Sequence, residues 1–364
     1  MKRQPSKPEP AARDGRDRLP ARDALARLYT AAGAFRKLAP WEWMGDDYLI
    51  GVEEPASGTV GYCCVLGALG SMFGLAVYVG ARGFYCFDRI ASGELDLGNF
   101  DTAATQDSLL ASFGARDELE PQDRRQIGTL GLKFRGRNEW PLFRSSRPGH
   151  APWYLDAPEV DLLTVALEQM LDVCTRISDG QGFEPPELER PLLVRQRDPA
   201  GDVWNDTWQQ LPQAPATEPP PQPERARIER VLQGTKRAAF TIETALSYLP
   251  TVVAEPGHRP CFPRIWLQAD ARTGVVGTGE MLEPDRTPAA LQEAFLSAIE
   301  QDALIPAEIR TASDESFALL APIADALGVR LRRVRSTPAL DMARDALVEA
   351  LQHHPMGRNE LLLD

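Results

Sequence analysis

Between positions 212 and 223 six of the twelve residues are proline. Proline fixes φ and has no N–H to donate, so such a run can neither continue a helix nor enter a central strand. It forms a stiff, polyproline-like connection. With 364 residues, the chain is long enough for an ordinary domain on each side. Proline is frequent from Glu184 onward, which sets the linker at 184–224. An N-terminal domain is then expected at 21–183 and a C-terminal domain at 225–354, with a tail at 355–364. Trp204 and Trp208, spaced i, i+4 inside the linker, are candidates to dock on one of the domains, so not all of it need be loose.

Residues 1–20 hold four prolines and mixed charge, and Leu19 is their one large aliphatic side chain after Met1. Such a segment cannot bury apolar surface and reads as a disordered, basic arm. It lacks the apolar stretch of a signal peptide. No apolar run approaches the ~20 residues that cross a bilayer, so no membrane partner is expected. The five cysteines, at 63, 64, 86, 174 and 261, form no spaced framework. An odd number of thiols in apolar surroundings reads as reduced and points to a cytoplasmic protein. A net charge of −12 argues against non-specific nucleic-acid binding over the whole surface.

In the first domain, Leu25, Leu28, Ala32 and Phe35 recur at helical spacing and predict a helix over 22–38 that Pro40 ends. Tyr48–Val52, Thr59–Leu66 and Phe73–Val79, separated by turn residues, predict an antiparallel meander. Helices are expected at 82–91, 102–113 and 121–132, and short extended segments at 141–146 and 153–155. Asp156 and Glu159 have the spacing of a capping box, and Pro158 suits a first turn. They open a helix whose apolar face is Val160, Leu163, Leu167, Met170, Leu171, Cys174 and Ile177. In the second domain, Ala239–Tyr248 reads as a strand or an irregular edge. Ile265–Ala269 and Val275–Leu282 read as a hairpin, and three helices opened by Thr287, Ser313 and Thr337 alternate with strands at 308–311 and 329–334. The fold class is therefore α+β: a meander with helices, then an α/β layered domain of order β-β-α-β-α-β-α.

The sequence has no GxxxxGK[ST] loop, GxGxxG fingerprint, GxSxG elbow, HExxH pair or paired CxxC. His353 and His354 are neighbours without converging ligands, so no metal is assigned. Two constellations remain. Trp41, Trp43, Trp140, Arg144, Arg147, His150 and Trp153 crowd indole and guanidinium groups into a turn-rich region. Arginine with aromatics suits a protein partner or a small anionic ligand, and Trp41, Trp43, Arg144, Arg147 and His150 are the candidate binding residues. In the second domain Asp270, Glu293, Asp314 and Asp341 (or Asp345) fall where ribonuclease-H-like nucleases place carboxylates that hold two divalent ions such as Mg²⁺. That family has three strands before its first helix, and here two are evident. Arg330, Arg332, Arg333 and Arg335 could then face a nucleic-acid backbone.

The phrases WEWM at 41–44, GYCCVLGALGSMFGLAVYVG at 61–80, LFRSSRPG at 142–149 and WYLD at 153–156 resemble a family of uncharacterised bacterial proteins. FPRIWLQADARTG at 262–274 and LGVRLRRVRSTPALDMARDAL at 327–347 resemble its second domain. The likeness covers about 30–180 and 236–350, and it implies a two-domain protein without an assigned activity or functional residues. The expected function is a non-catalytic binding or interaction protein without cofactor. A metal-dependent nuclease is the alternative.

Overall fold

A computed structural model describes residues 18–353 except 47, 69, 71, 97–99, 188–189, 199–200, 202, 215–218, 256–257 and 278. Most of the expected basic arm, the tail and His354 lie outside the described residues.

The first sheet has seven strands. After helix α1 (Arg22–Leu38) come β1 (Leu49–Glu53), β2 (Val60–Leu66) and β3 (Gly74–Val79), the expected meander. Helix α2 (Gly80–Ala91) and a short α3 (Phe100–Thr105) lead to β4 (Ser108–Gly114). Helix α4 (Pro121–Leu130) precedes β5 (Trp140–Ser146), and α5 (Ala157–Ser178) follows it. Two further strands, β6 (Leu192–Arg197) and β7 (Trp204–Gln209), extend the sheet beyond β1, giving the order β5-β4-β3-β2-β1-β6-β7. All neighbours are antiparallel except β1 and β6.

Helices α1 and α5 cover one face of this sheet. The residues foreseen for α5 do the work: Val160, Leu163, Leu167, Met170 and Cys174 are wholly buried, as are Leu28, Ala32 and Phe35 of α1. The capping box is formed, with Glu159 N donating to Asp156 Oδ1 at 3.0 Å and Asp156 N to Glu159 Oε2 at 2.9 Å. On the other face Tyr62 meets Phe84 of α2, their ring centroids 5.0 Å apart.

Two expectations fail here. The helix read at 102–113 is α3 followed by β4, where Leu109, Ala111 and Phe113 alternate inward. A short apolar run fits either period, and pairing with β3 and β5 decides it. The linker read at 184–224 contains β6 and β7, whose Leu193 lies in the first core with Trp204 and Trp208 packed against it. The connection between the domains therefore begins only after Gln209.

Helix α6 (Arg225–Gly234) opens the second domain. Then come β8 (Lys236–Tyr248), β9 (Arg264–Asp270), β10 (Met281–Leu282), α7 (Pro288–Asp302), β11 (Leu304–Thr311), α8 (Asp314–Leu327), β12 (Arg330–Arg333) and α9 (Pro338–His353). The sheet order is β10-β9-β8-β11-β12, with β9 antiparallel to β8 and with β11 and β12 parallel to it. The stretch read as a possible edge is thus the central strand. Three strands, not two, precede the first long helix, although β10 is only two residues long. Helices α6, α7 and α8 bury Trp266, Ile305 and Ile309 on one face, and α9 covers Ala245, Leu267 and Ala269 on the other.

Candidate functional site

The arginines of the 142–156 run point at acids. Arg144 on β5 donates from Nη1 and Nη2 to Asp123 of α4 at 3.0 and 2.8 Å, and its guanidinium lies 4.9 Å from the centre of the Tyr154 ring. Arg147 donates to Asp156 Oδ2 at 2.5 Å and to Glu159 Oε1 at 2.8 Å. Glu159 also accepts from Ser145 Oγ at 2.6 Å.

Arg259, in the long β8–β9 connection, crosses from the second domain into this group. It donates to Ser145 Oγ at 2.9 Å, to Ser145 O at 3.2 Å, and to Tyr154 O and Glu159 Oε2 at 3.3 Å. Burial alone would raise the Glu159 carboxyl, but Arg259, Arg147 and the Ser145 hydroxyl together hold it below the ordinary carboxylate range. Backbone pairs close the same contact, Ala151 N to Pro260 O at 3.0 Å and Phe262 N to Gly149 O at 2.8 Å. Gly149 has φ +77°, and a Cβ there would stand 2.2 Å from Pro284, so only glycine fits. His150 faces Asp285 at 3.6 Å. Arg147 and His150 thus belong to the joint between the domains, and Arg144 pins α4 and Tyr154 beside it. The sequence signal for Arg259 was weak, because a single arginine in a turn-rich connection carries no pattern.

Trp153 stays with this group, paired with Ser145 and packed on Tyr154, but Trp41 and Trp43 lie elsewhere. Trp41 occupies a short 3₁₀ helix, Pro40–Glu42, and packs on Phe35, Phe73 and Phe113 with ring centroids 6.1, 5.6 and 5.7 Å away. Phe113 pairs with Pro141 at the start of β5, whereas Arg147 follows its end. A strand of this length spans ~20 Å, so the five candidate binding residues form two groups. Next to Trp41 is an open hollow of about 310 Å³ lined by Arg36, Trp41, Glu42, Phe73 and Asn138. Arg36 stacks 5.8 Å over the indole and donates to Asn138 O at 2.7 Å and Glu139 Oε1 at 2.6 Å. Trp43, two residues on, is 42% exposed. A larger cleft of about 420 Å³ beside α1 and α5 is lined in part by the Arg27–Glu168 pair at 2.6 Å and by Glu54, whose carboxylate accepts from Ala56 N and Ser57 N.

The four acids of the second domain are not brought together. Asp270 accepts from Arg272 N, Thr273 N and Thr273 Oγ1 within its own turn, and these bonds, Thr273 first, keep it ionised below the usual range. Glu293 on α7 holds Arg227 of α6 at 2.8 Å. Asp314 opens α8 and takes Arg333 Nε at 2.8 Å. Asp341 is in the first turn of α9, across the sheet from α7 and α8. Among the described residues no three His, Cys, Asp or Glu could hold a metal ion. Sequence reasoning passed over Glu243, buried on β8, whose Oε2 accepts from Ala339 N at 2.8 Å and Leu340 N at 3.2 Å and so caps α9. It also passed over Glu308 on β11, which Arg310, Arg330 and Arg332 surround. Arg335 is exposed just past β12.

Cys63, Cys64, Cys86 and Cys174 are buried and Cys261 partly so, none in a disulfide. Burial raises Cys63, Cys86 and Cys261 and pushes Cys174 up to about 12, which disfavours their thiolates.

Residues 26–195 match the profile of a domain of unknown function (DUF7309), and residues 227–348 match that of another (DUF6930). The chain carries two domains of unknown function in succession. The resemblance read from its sequence phrases agrees with this division, and the first profile ends inside β6, within the stretch read as linker. No curated protein matches the chain. Among solved structures, the HTLV-2 integrase catalytic core domain in complex with magnesium is 13% identical, covering 33% of this chain and 77% of that one at a TM-score of 0.25. The simian T-cell lymphotropic virus intasome in complex with PP2A regulatory subunit B56 gamma is 13% identical, covering 34% and 46% at a TM-score of 0.26. Likenesses at these scores carry no functional argument. Among the described residues no helix is long and apolar enough to cross a membrane.

Proposed function

We propose that the protein is a cytoplasmic, non-catalytic binding protein that receives a protein partner or a small anionic ligand at the Trp41–Trp43 end of its first domain. The observation that carries this reading is a hollow walled by the Trp41 and Phe73 rings and the Arg36 guanidinium, with the exposed Trp43 one residue beyond Glu42 of its lining. Tryptophan and arginine dominate binding hot spots because each offers large contact area and directed N–H groups. Five free cysteines support the reducing compartment.

The test compares Trp43→Ala and Arg36→Ala with the parent chain in pull-downs and in tryptophan-fluorescence titrations of anionic metabolites. Both variants should lose the same partner or ligand, and Trp43→Ala should unfold as the parent does, since Trp43 is exposed. Binding retained by both would sink the proposal. Arg144→Ala and Arg147→Ala, in contrast, would disturb the joint and its neighbourhood.

A second reading, a magnesium-dependent nuclease in the second domain, draws its support from strand order, because three strands precede α7 as in ribonuclease-H-like domains. The scattered acids do not fit a shared metal pair, whose ions sit ~4 Å apart, so no step is derived through one. Incubation with DNA and RNA in Mg²⁺ tests it. Cleavage abolished by Asp270→Asn plus Asp314→Asn would favour it over the binding reading.

A further inference from the structure

Strand β12 is the open edge of the second sheet, and its side chains alternate. Val329 and Leu331, at its start and in its middle, turn into the core beneath α8. Arg330 and Arg332 turn to the other face, where their side chains are 74% and 55% exposed. On that face β11 contributes Glu308, paired in register with Arg330, and Arg310, paired with Arg332. Helix α9 covers the β8–β9 half of this face; on the β11–β12 half Arg330 and Arg332 reach solvent and Glu308 is buried.

One carboxylate therefore serves three guanidiniums. Glu308 Oε1 takes Arg310 Nε at 2.6 Å, while Arg330 Nη1 and Arg332 Nη1 stand off at 3.7 Å, beyond hydrogen-bond reach. With Glu243 of β8, which stands in register with Arg310 and is bonded to the α9 backbone, the three guanidiniums still outnumber the carboxylates by one on a protein whose net charge is −12. Elsewhere the buried arginines are matched: Arg144 meets Asp123 and Glu120, and Arg147 meets Asp156 and Glu159.

We propose that this arginine row binds the phosphodiester backbone of a single-stranded nucleic acid, independently of its bases. Arg330 and Arg332 are one two-residue step apart, about 6.6–6.8 Å, comparable to the step between neighbouring phosphates on an extended strand. The guanidinium fork fits phosphate oxygens in pairs. An extended acidic peptide repeats on one face at this same two-residue step but needs an acid at each alternate position, whereas a phosphodiester strand presents an anion at every step whatever its sequence. No aromatic side chain stands among these four residues to stack on a base, so the contact is electrostatic and sequence-blind.

The experiment titrates the full chain against fluorescent oligo-dT and oligo-U between 50 and 200 mM salt. Three released counterions give a log–log salt slope near −2, hence roughly a 20-fold loss of affinity across that range. The triple variant Arg310→Gln, Arg330→Gln, Arg332→Gln should bring the slope close to zero. Arg225→Gln, which removes a still more exposed arginine on α6, should leave it unchanged. Glu308→Gln should act in the opposite direction and tighten binding, which a merely unfolded variant would not do. A wild-type chain that ignores both oligonucleotides at 50 mM salt, a triple variant with the parental slope, or displacement of oligo-dT by poly-glutamate at lower charge equivalents would each overturn the proposal.

Discussion

Arg259 of the second domain reaches Glu159 of the first at 3.3 Å, with both side chains almost fully buried. The same carboxylate closes the capping box of α5 and takes Arg147. One acid thus fixes a helix start, a loop and the neighbouring domain. Removing its charge would take from the two largely buried guanidiniums of Arg147 and Arg259 the carboxylate they share. Glu159→Gln should therefore cost about 3–5 kcal/mol, the range for breaking one side of a buried ion pair. Glu229→Gln, which removes an exposed i,i+4 partner of Arg225, should cost under about 1 kcal/mol. Urea midpoints of the two variants at constant slope measure the difference. Equal costs would mean that the joint contributes nothing to stability.

The pH dependence follows from the same pair and from Asp206. Burial pulls Asp206 upward, but hydrogen bonds from Arg176 and Arg195 outweigh it, so its folded pKa is depressed, as is that of Glu159. A depressed carboxylate contributes stability that is fully present above its unfolded value, near 4 for these residue types. That contribution is lost as pH falls through the folded value. Thermal unfolding should therefore change little from pH 7 to 5 through these groups, and its midpoint should fall below about pH 4. A decline that begins between pH 8 and 6 would point to other groups.

Leu193 tests the revised domain boundary. If 184–224 were a linker, Leu193→Ala would be nearly neutral. In β6 the side chain is 4% exposed and belongs to the first core, so the substitution should cost about 2–5 kcal/mol, as Leu163→Ala on α5 should. Denaturant unfolding of the two variants compares them directly.

The reason this strand escaped the sequence also explains what else did. α1 was legible from an apolar stripe and a stop, Leu28, Ala32 and Phe35 before Pro40, and α5 from a stripe with a cap and a stop, Asp156 with Glu159 before Gly180. β6 is six residues, LLVRQR, set among prolines. Its identity comes from pairing with β1, which lies about 140 residues earlier. β4 was masked in the same way, because Ser108–Phe113 has either period until β3 and β5 flank it. At the site, residue types were legible and destinations were not. Arg144 and Arg147 were picked as unusual, but their partners Asp123, Asp156 and Glu159 come from α4 and α5, and Arg259 comes from another domain. The acids of the second domain likewise sat at the foreseen element ends, where Asp270 and Asp314 serve a turn and a helix start.

Glu243 gives the last prediction. Thr337 and Pro338 together look like a cap followed by a first-turn proline, yet the acceptor at the start of α9 is the Glu243 carboxylate from β8, bonded to Ala339 N and Leu340 N. A buried negative charge at the positive end of a helix is favourable on two counts, satisfied N–H groups and the dipole. Glu243→Gln keeps an acceptor and loses the charge, so it should cost about 1–2 kcal/mol. Glu243→Ala loses both and should cost more. Because α9 rests on a small apolar patch of the sheet, Ala245, Leu267 and Ala269, the loss should appear first as local opening. Amide exchange in α9 should accelerate in both variants, more in Glu243→Ala, while amides of α7 and α8 keep their protection. Unchanged exchange in α9 would show that the helix is held by its apolar face alone.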